Sequence, residues 1–130
     1  MTLSHFAVVR ARGGASAILD DPLVHCFADK QVVLTYVSRQ TLMEYFRIPG
    51  DRRITLAQWN LVVDRNLDGF KRIIEAKYAR GDWQLHTTPW GQSFPKLVIT
   101  LEDMQSSGQE FNIEVLNLDG KFWPRAGSVA

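Results

Sequence analysis

A long apolar stripe at helical spacing in the middle of the chain constrains the fold more than any other feature. Its members recur at steps of three or four residues, the period of one helix face: Trp59, Val63, Leu67, Phe70, Ile74 and Tyr78. Thr55 and Gln58 have the spacing of a capping box, and Gly81 is suited to end a helix. The pattern therefore predicts one unbroken helix from the threonine cap to the glycine.

Two β-rich runs precede this helix and predict a hairpin. Leu23–Phe27 and Gln31–Val37 are separated by Ala28–Lys30, which has the length of a hairpin loop. Both faces of the second run are apolar, so we expect it to be a central strand. Ser38 can then cap a short helix, which should end at about Arg47 because a Pro-Gly pair follows.

The region after the long helix predicts a loop followed by more strands. We expect residues 82–95 to form the loop, and Lys96–Leu101 and Glu110–Leu116 to form half-buried strands. A turn at Asn117–Gly120 predicts that Lys121–Trp123 returns as the second strand of a hairpin. The order ββααβββ favours an α+β fold, in which an antiparallel β-sheet is packed by one short and one long α-helix.

Composition and length are those of one globular domain. The chain has 130 residues, 45% of them apolar and 22% charged. We expect residues 1–15, which end in small residues, to form a flexible arm, residues 16–124 the domain and residues 125–130 a tail.

Charge and cysteine usage narrow the choice of partners and location. A net charge of +1 argues against nucleic acid and anionic lipid as partners. No apolar run reaches the roughly 20 residues of a membrane span, and the N-terminus lacks the basic-then-apolar pattern of a secretory signal. Cys26 is the only cysteine, so no internal disulfide can form, and the expected location is cytoplasmic.

Four short segments that follow the predicted hairpin resemble a known family. They are Ser38–Phe46, Arg65-Asn66, Lys77–Gly81 and Val98–Asp103. Their order is similar to that in a small bacterial family of uncharacterised domains, the domain-of-unknown-function family numbered fourteen-eighty-eight, over about residues 17–103. The resemblance implies a compact α+β fold with a continuous helix through Arg65–Gly81. It implies no activity, because no catalytic or ligand-binding residues are established for that family.

Residues 64–75 also fit the calcium-loop pattern D-x-[DN]-x-[DN]-G-x5-E. The oxygen ligands of such a loop would be Asp64, Asn66, Asp68 and Glu75. Two features argue against calcium: Lys71 occupies a position that usually carries a branched apolar residue, and the motif has no second copy. Because the helical stripe keeps its phase across the segment, we expect a continuous helix without metal, and calcium binding is the alternative.

Aromatic residues after the long helix point to a binding function. The residues expected to contact a flat ligand or a partner are Trp83, His86, Trp90, Gln92 and, in the C-terminal hairpin, Trp123. The alternative is that these rings cover one end of the sheet. Since they come without clustered titratable groups, we predict a non-enzymatic binding or accessory domain that contacts a protein or a small ligand. The C-terminal hairpin is the expected edge of a homodimer.

An enzyme is the remaining alternative. Cys26 and His86 can be written as a nucleophile and its base, but no local signature supports the pair, and no reaction follows from it. The three histidines show no metal-ligand spacing. The sequence therefore predicts no catalytic residues and no cofactor, and it favours binding over catalysis.

Overall fold

The computed structural model describes residues 3–9, 21–50 and 53–116, which fold into a five-stranded sheet and four α-helices. The strands are β1 (Leu3–Val8), β2 (Leu23–Ala28), β3 (Gln31–Val37), β4 (Gln84–Thr87) and β5 (Ser93–Ile99). The helices are α1 (Arg39–Phe46), α2 (Leu56–Arg65), α3 (Leu67–Ala79) and α4 (Leu101–Ser106), and a short 3-10 turn follows at Glu114–Leu116. The predicted α+β class is confirmed. None of the helices in these ranges has both the length and the apolar character of a membrane span.

The sheet is mixed, with the strand order β1-β2-β3-β5-β4. β3 and β5 are parallel, while the other neighbouring strands are antiparallel. The prediction of a purely antiparallel sheet is therefore wrong, and the element order is βββαααββα in place of ββααβββ. The reason is that β4 and β5 form a hairpin in which β5 is the apolar strand. β5 takes the inner position between β4 and β3, and it runs parallel to β3.

Local capping patterns located the starts of the first two helices correctly. Ser38 caps α1, since its hydroxyl oxygen accepts from the Thr41 N–H at 3.4 Å. Arg47 ends this helix in the left-handed conformation, with a φ of 57°. Thr55 and Gln58 form the predicted capping box of α2, with reciprocal hydrogen bonds of 3.2 and 2.9 Å. The predicted β2–β3 hairpin and the central place of β3 are also confirmed.

The long helix is interrupted at Asn66. The prediction of one unbroken helix, which both the apolar pattern and the family resemblance gave, is therefore wrong. α2 ends at Arg65 and α3 begins at Leu67, while Asn66 has a φ of −107° and a ψ of 20°. Its Nδ2 donates to the carbonyl oxygens of Val62 and Asn112, both at 2.7 Å. Its Oδ1 accepts from the Asn112 N–H at 3.0 Å. A side chain that binds backbone groups on two sides thus competes with regular helix hydrogen bonds at this point.

The apolar stripe is buried in spite of the interruption. Four of its members have exposed fractions of 1% or less: Trp59, Val63, Phe70 and Ile74. Leu67 and Tyr78 are partly buried against the same core. The Asn66 N–H still donates to the Val62 carbonyl oxygen at 3.1 Å, as it would inside a continuous helix. This bond keeps the two helices in phase, which is why the periodic pattern runs across both.

Glu110–Leu116 is not the strand that its alternating pattern predicted. Phe111 and Ile113, which alternate with polar residues in this segment, are buried, with exposed fractions of 1% and 0%. The segment nevertheless pairs with no strand in the described ranges. Asn66 supplies the hydrogen bonds that a neighbouring strand would give to the Asn112 backbone. The alternating pattern therefore predicted correctly which side chains are buried, but it predicted the wrong type of secondary structure.

β5 ends earlier than predicted, because a helix begins where the strand was expected to continue. The strand was expected to run from Lys96 to Leu101, but it ends at Ile99. Thr100 and Asp103 form a second capping box and begin α4. A capping box gives the backbone a helical alternative at a point where apolar alternation alone would continue the strand.

The N-terminal residues belong to the sheet. Of the arm predicted at residues 1–15, residues 3–8 form the edge strand β1, and Leu3 and Val8 lie in the core. The described residues do not include residues 1, 2 and 10–15 of that predicted arm, the predicted domain boundaries or the residues after 116, Trp123 among them.

Gly69 allows the irregular segment to lie against α3. A Cβ atom at this position would be 2.7 Å from Cε1 of Phe111, which is too close for two carbon atoms in a packed interior. The Phe111 ring cannot move aside easily, because it contacts the Phe70 and Tyr45 rings at centroid distances of 4.7 and 5.6 Å. A packing contact thus explains a glycine inside a helix.

Replacing Gly69 with alanine tests this contact. Gly69→Ala should lower the free energy of unfolding by about 1 to 2 kcal/mol, because overpacking outweighs the helix propensity that alanine adds. Urea denaturation followed by circular dichroism measures the change. Gly50→Ala is the matched control, since nothing lies within 4 Å of a Cβ added there. Equal effects of the two substitutions, or a stabilised Gly69→Ala, would contradict the packing argument.

Candidate functional site

Residues 82–95, predicted as a loop, contain the β4–β5 hairpin. Every residue of β4 has a partner in β5. The turn is closed by hydrogen bonds from the Thr88 N–H to the Gln92 carbonyl oxygen (2.7 Å) and from the Gly91 N–H to the Thr88 carbonyl oxygen (3.0 Å). Gly91 has a φ of 90°, which favours glycine. The Pro-Trp-Gly sequence of the turn was the available signal for this hairpin, but β4 carries no apolar alternation because both its faces are exposed.

The hairpin carries the two most exposed large apolar side chains of the described residues. Trp90 is 75% exposed at the turn, and Leu85 is 64% exposed on β4. The next two are Val98 on β5 and Leu61 on α2, at 44% and 39%. All four residues of β4 are exposed, so the described helices leave this strand uncovered.

β4 lies at the edge of the sheet, and no strand in the described ranges pairs with its outer side. In an antiparallel pair, alternate residues direct their N–H and C=O groups toward the neighbouring strand. Thr88 directs its N–H toward the β5 side, and His86 and Gln84 follow the same alternation. Leu85 and Thr87 therefore direct their backbone groups away from the sheet. The outer side of β4 offers two donors and two acceptors at strand spacing.

Trp83, one of the predicted binding residues, anchors the base of the hairpin. Its indole is partly buried and stacks on the Tyr78 ring of α3, with a centroid distance of 5.8 Å and an interplanar angle of 14°. The Trp83 N–H donates to the Gly81 carbonyl oxygen at 2.9 Å. These contacts show that Trp83 attaches the hairpin to α3.

The other predicted binding residues lie along the hairpin. His86 is exposed in the middle of β4, with its ring 5.1 Å from the ring of Phe94. At the turn, Trp90 Nε1 donates to Gln92 Oε1 at 3.4 Å, and both side chains are exposed. Trp123 is outside the described residues. The structure thus brings Trp90 and Gln92 together at the tip of the hairpin.

A buried lysine, which sequence reasoning missed, ties the base of the hairpin to α3 and α4. The Lys77 side chain is 5% exposed, and its Nζ lies 2.8 Å from Asp103 Oδ2 and 3.0 Å from Asp82 Oδ2. Arg80 lies 3.3 Å from Asp82 and 3.6 Å from Asp103. Asp103 Oδ2 also accepts from the Thr100 N–H at 2.9 Å, so one carboxylate serves both the helix cap and the lysine. The capping-box spacing of Thr100 and Asp103 was the available signal.

This cluster lowers the pKa of both carboxyl groups. Burial by itself raises the pKa of Asp103, but hydrogen bonds from Lys77 and Thr100 and the charge of Lys77 outweigh burial, so the pKa lies below its ordinary value. The hydrogen bond and charge of Lys77, followed by the hydrogen bond of Arg80, lower the pKa of Asp82. These residues line a cleft of about 760 Å³. Because the cations and carboxylates pair with each other, the cluster has the character of a structural ion network.

The residues of the alternative calcium site do not form a loop. Asp64 lies in the last turn of α2, whereas Asp68 and Glu75 lie in α3. Asn66 already uses Nδ2 and Oδ1 on backbone groups. Within the described ranges, no group of three or more histidine, cysteine, aspartate or glutamate residues converges on a metal position. Backbone contacts and close packing explain why Asn66 and Gly69 occupy their positions in the motif.

Cys26 and His86 are not brought together. Cys26 is fully buried in β2, whereas His86 is exposed on β4. β3 and β5 lie between these two strands, so their backbones are about 14 Å apart at a strand spacing of about 4.8 Å. Burial, with a smaller contribution from Glu75, raises the pKa of the Cys26 thiol to about 11. At neutral pH this thiol is protonated, and the pair offers no activated nucleophile.

Comparisons of this chain with protein-family models, with curated proteins and with solved structures found no match. The resemblance to the domain-of-unknown-function family numbered fourteen-eighty-eight therefore stays a prediction.

Asn66→Asp separates the helix contact from the calcium alternative. Aspartate is a good calcium ligand, but it cannot donate the two hydrogen bonds of Asn66 Nδ2. We expect the free energy of unfolding to fall by about 2 kcal/mol, without recovery in millimolar calcium, as measured by urea denaturation. Asp68→Asn is the control, because it removes a carboxylate of the same motif and should change stability by less than about 0.5 kcal/mol. Stabilisation of either variant or of the parent by calcium would favour the ion loop.

Asp103→Asn tests the ion network through its pH dependence. Because the native pKa of Asp103 lies below the unfolded value of 3.8, its contribution is fully present above that value and is lost as pH falls through the native pKa. The variant should be less stable at neutral pH by about 1 to 3 kcal/mol, and its stability should fall less steeply in acid. Urea denaturation across the acidic range measures both effects. Glu102→Gln, at an exposed position of the same helix, should behave as the parent, and parallel profiles for Asp103→Asn and the parent would contradict the assignment.

Proposed function

We propose that this protein is a non-enzymatic binding protein that recognises a partner protein through the β4–β5 hairpin. The observation that supports this is the combination, on one short element, of two highly exposed apolar side chains and outward-facing backbone groups. Trp90 and Leu85 supply the side chains, and Leu85 and Thr87 supply the backbone groups.

The exposed apolar side chains of the hairpin are well placed to act as anchors. Single exposed apolar residues are common on protein surfaces, but here the two most exposed ones of the described residues, Trp90 and Leu85, share one hairpin. Tryptophan is among the residue types that most often carry binding energy at protein interfaces. A partner that covers the tip of the hairpin would remove this indole from water and gain that energy.

The open edge of β4 adds a second means of recognition. A partner strand laid along it can bond with the backbone groups of Leu85 and Thr87, the mode called β-strand addition. Main-chain hydrogen bonds then supply affinity, and the alternating side chains supply specificity. The outer side of β4 offers both the main-chain groups and the alternating side chains that this mode of binding uses.

The base of the hairpin is already ordered, which favours binding. The Trp83–Tyr78 stack and the bonds of Lys77 to Asp82 and Asp103 attach the hairpin to two helices. A preorganised element loses less conformational entropy when it binds than a mobile loop does. The buried residues of the base thus support the exposed residues of the tip.

A random peptide library displayed on phage tests the proposed function. Peptides selected against the immobilised protein should bind the parent, and Trp90→Ala should weaken them by about tenfold or more, because a central tryptophan commonly carries about 2 kcal/mol or more. Fluorescence anisotropy of labelled peptides measures the affinity. Leu61→Ala is the matched control, since it removes an exposed apolar side chain from α2 and should leave affinity unchanged. Absence of enrichment, or equal binding by Trp90→Ala and the parent, would contradict the proposal.

A further inference from the structure

We propose that the partner that adds to β4 is a second copy of this chain, so that two sheets join edge to edge into one continuous sheet. This inference rests on the binding function proposed for the hairpin, and it names the partner. Three features carry it: the contrast between the two edges of the sheet, the direction of the backbone groups of β4, and the absence of charge along that strand.

The two edges of the sheet differ in how they are protected. β1 has an irregular register between Ser4 and Ala7, and His5 within it has a φ of 58°. A bulge of this kind prevents a further strand from pairing along an edge. β4 has regular pairing along its whole length and contains no proline, lysine, arginine, aspartate or glutamate, which are the residues that usually block an edge. Among the residues that the structure describes, pairing is therefore open at β4 and hindered at β1.

The backbone geometry of β4 fits a symmetric pair. A two-fold axis perpendicular to the sheet makes the two β4 strands antiparallel and keeps the helices of both copies on the same side. A residue on this axis lies opposite itself. Leu85 directs its backbone groups outward, so Leu85 on the axis gives two reciprocal bonds, from each N–H to the other copy's carbonyl oxygen. In the same register the Thr87 N–H of each copy meets the Trp83 carbonyl oxygen of the other.

The side chains of β4 are compatible with self-pairing. A symmetric contact places the side chains of β4 beside those of an identical strand, so a charged strand would repel itself. The residues from Gln84 to Thr87 carry no acidic, lysine or arginine side chain, and the net charge of +1 adds little long-range repulsion. Leu85 lies opposite Leu85 of the second copy, and the two side chains cover each other. This contact explains why a leucine is 64% exposed on an edge strand.

In the same register, Trp90 of each copy would contact the other copy. Antiparallel pairing about Leu85 brings the tip of each hairpin toward residues 80–82 of the other copy. Arg80 there has a side chain that is 54% exposed, and a guanidinium group can stack on an indole face. The Trp90 indole, which is 75% exposed in one copy, thus approaches a cation of the other.

Sedimentation equilibrium from micromolar to millimolar protein tests the dimer. Because only a short strand pairs, we expect a weak dimer whose fraction rises with concentration. Leu85→Lys should make the protein monomeric throughout, since two lysines would meet on the axis. Leu61→Lys places the same charge on α2 and should dimerise as the parent does. A parent that remains monomeric at millimolar concentration, or a Leu85→Lys variant that dimerises as the parent does, overturns the proposal.

Charge complementation tests the pairing of Leu85 with itself. Leu85→Glu should also be monomeric alone, but an equimolar mixture with Leu85→Lys should form a mixed dimer. Amide exchange measured by NMR gives an independent readout, because the Leu85 and Thr87 amides should gain protection as the protein concentration rises. The His86 and Thr88 amides, which face β5, should be protected at every concentration. Absence of a mixed dimer, or Leu85 protection that does not depend on concentration, overturns Leu85 as the centre of the contact.

The outcomes separate this inference from the proposed function. A monomeric parent whose library peptides are still weakened by Trp90→Ala would overturn self-pairing and leave the hairpin as a binding site for another protein. A dimer that dissociates on Leu85→Lys would support both. Peptide binding unaffected by Trp90→Ala, together with a monomeric parent, would overturn both.

Discussion

The fold depends on the carboxamide of Asn66. With three hydrogen bonds, this side chain separates α2 from α3 and holds the irregular segment at residues 107–113 against the helices. The segment has no strand neighbour in the described part of the chain, so Asn66 is what satisfies the Asn112 backbone. The segment in turn places Phe111 and Ile113 in the core. One amide side chain therefore joins the helical layer to the chain that follows α4.

The sequence predicted the parts of the helical layer that depend on neighbouring residues. Ser38 and Thr55 cap helices where their side chains reach backbone groups three residues ahead, and this reach is visible in the order of the residues. The interruption at Asn66 was not predictable in the same way, because its partner Asn112 is 46 residues away. The Asn66 N–H also keeps its bond to Val62, so the apolar period continues through the break.

The sheet shows the same division between local and distant causes. The β2–β3 hairpin was predicted because its strands are adjacent in sequence and rich in β-branched residues. The parallel pairing of β3 with β5 joins Leu34 to Lys96, across the whole helical region, and no local pattern specifies it. β4 was not predicted, because the alternating pattern that identifies a strand arises when one of its faces is buried. All residues of β4 are exposed. The predicted binding residues Trp90 and Gln92 do meet at the tip, whereas the ion network of Lys77 depends on contacts that only the fold creates.

The charges at the base of the hairpin explain how an exposed edge strand keeps its shape. The Lys77 ammonium group is buried and needs negative partners to offset its loss of hydration. One of them, Asp82, comes from the turn that precedes β4, and the other, Asp103, comes from α4. The start of β4 is thereby attached to two helices, and the stacking of Trp83 adds a further contact. A strand held in this way has little conformational entropy left to lose when its outer edge is paired. The ordering of the site is thus completed during folding, and this is the condition under which a strand as short as β4 can contribute to recognition.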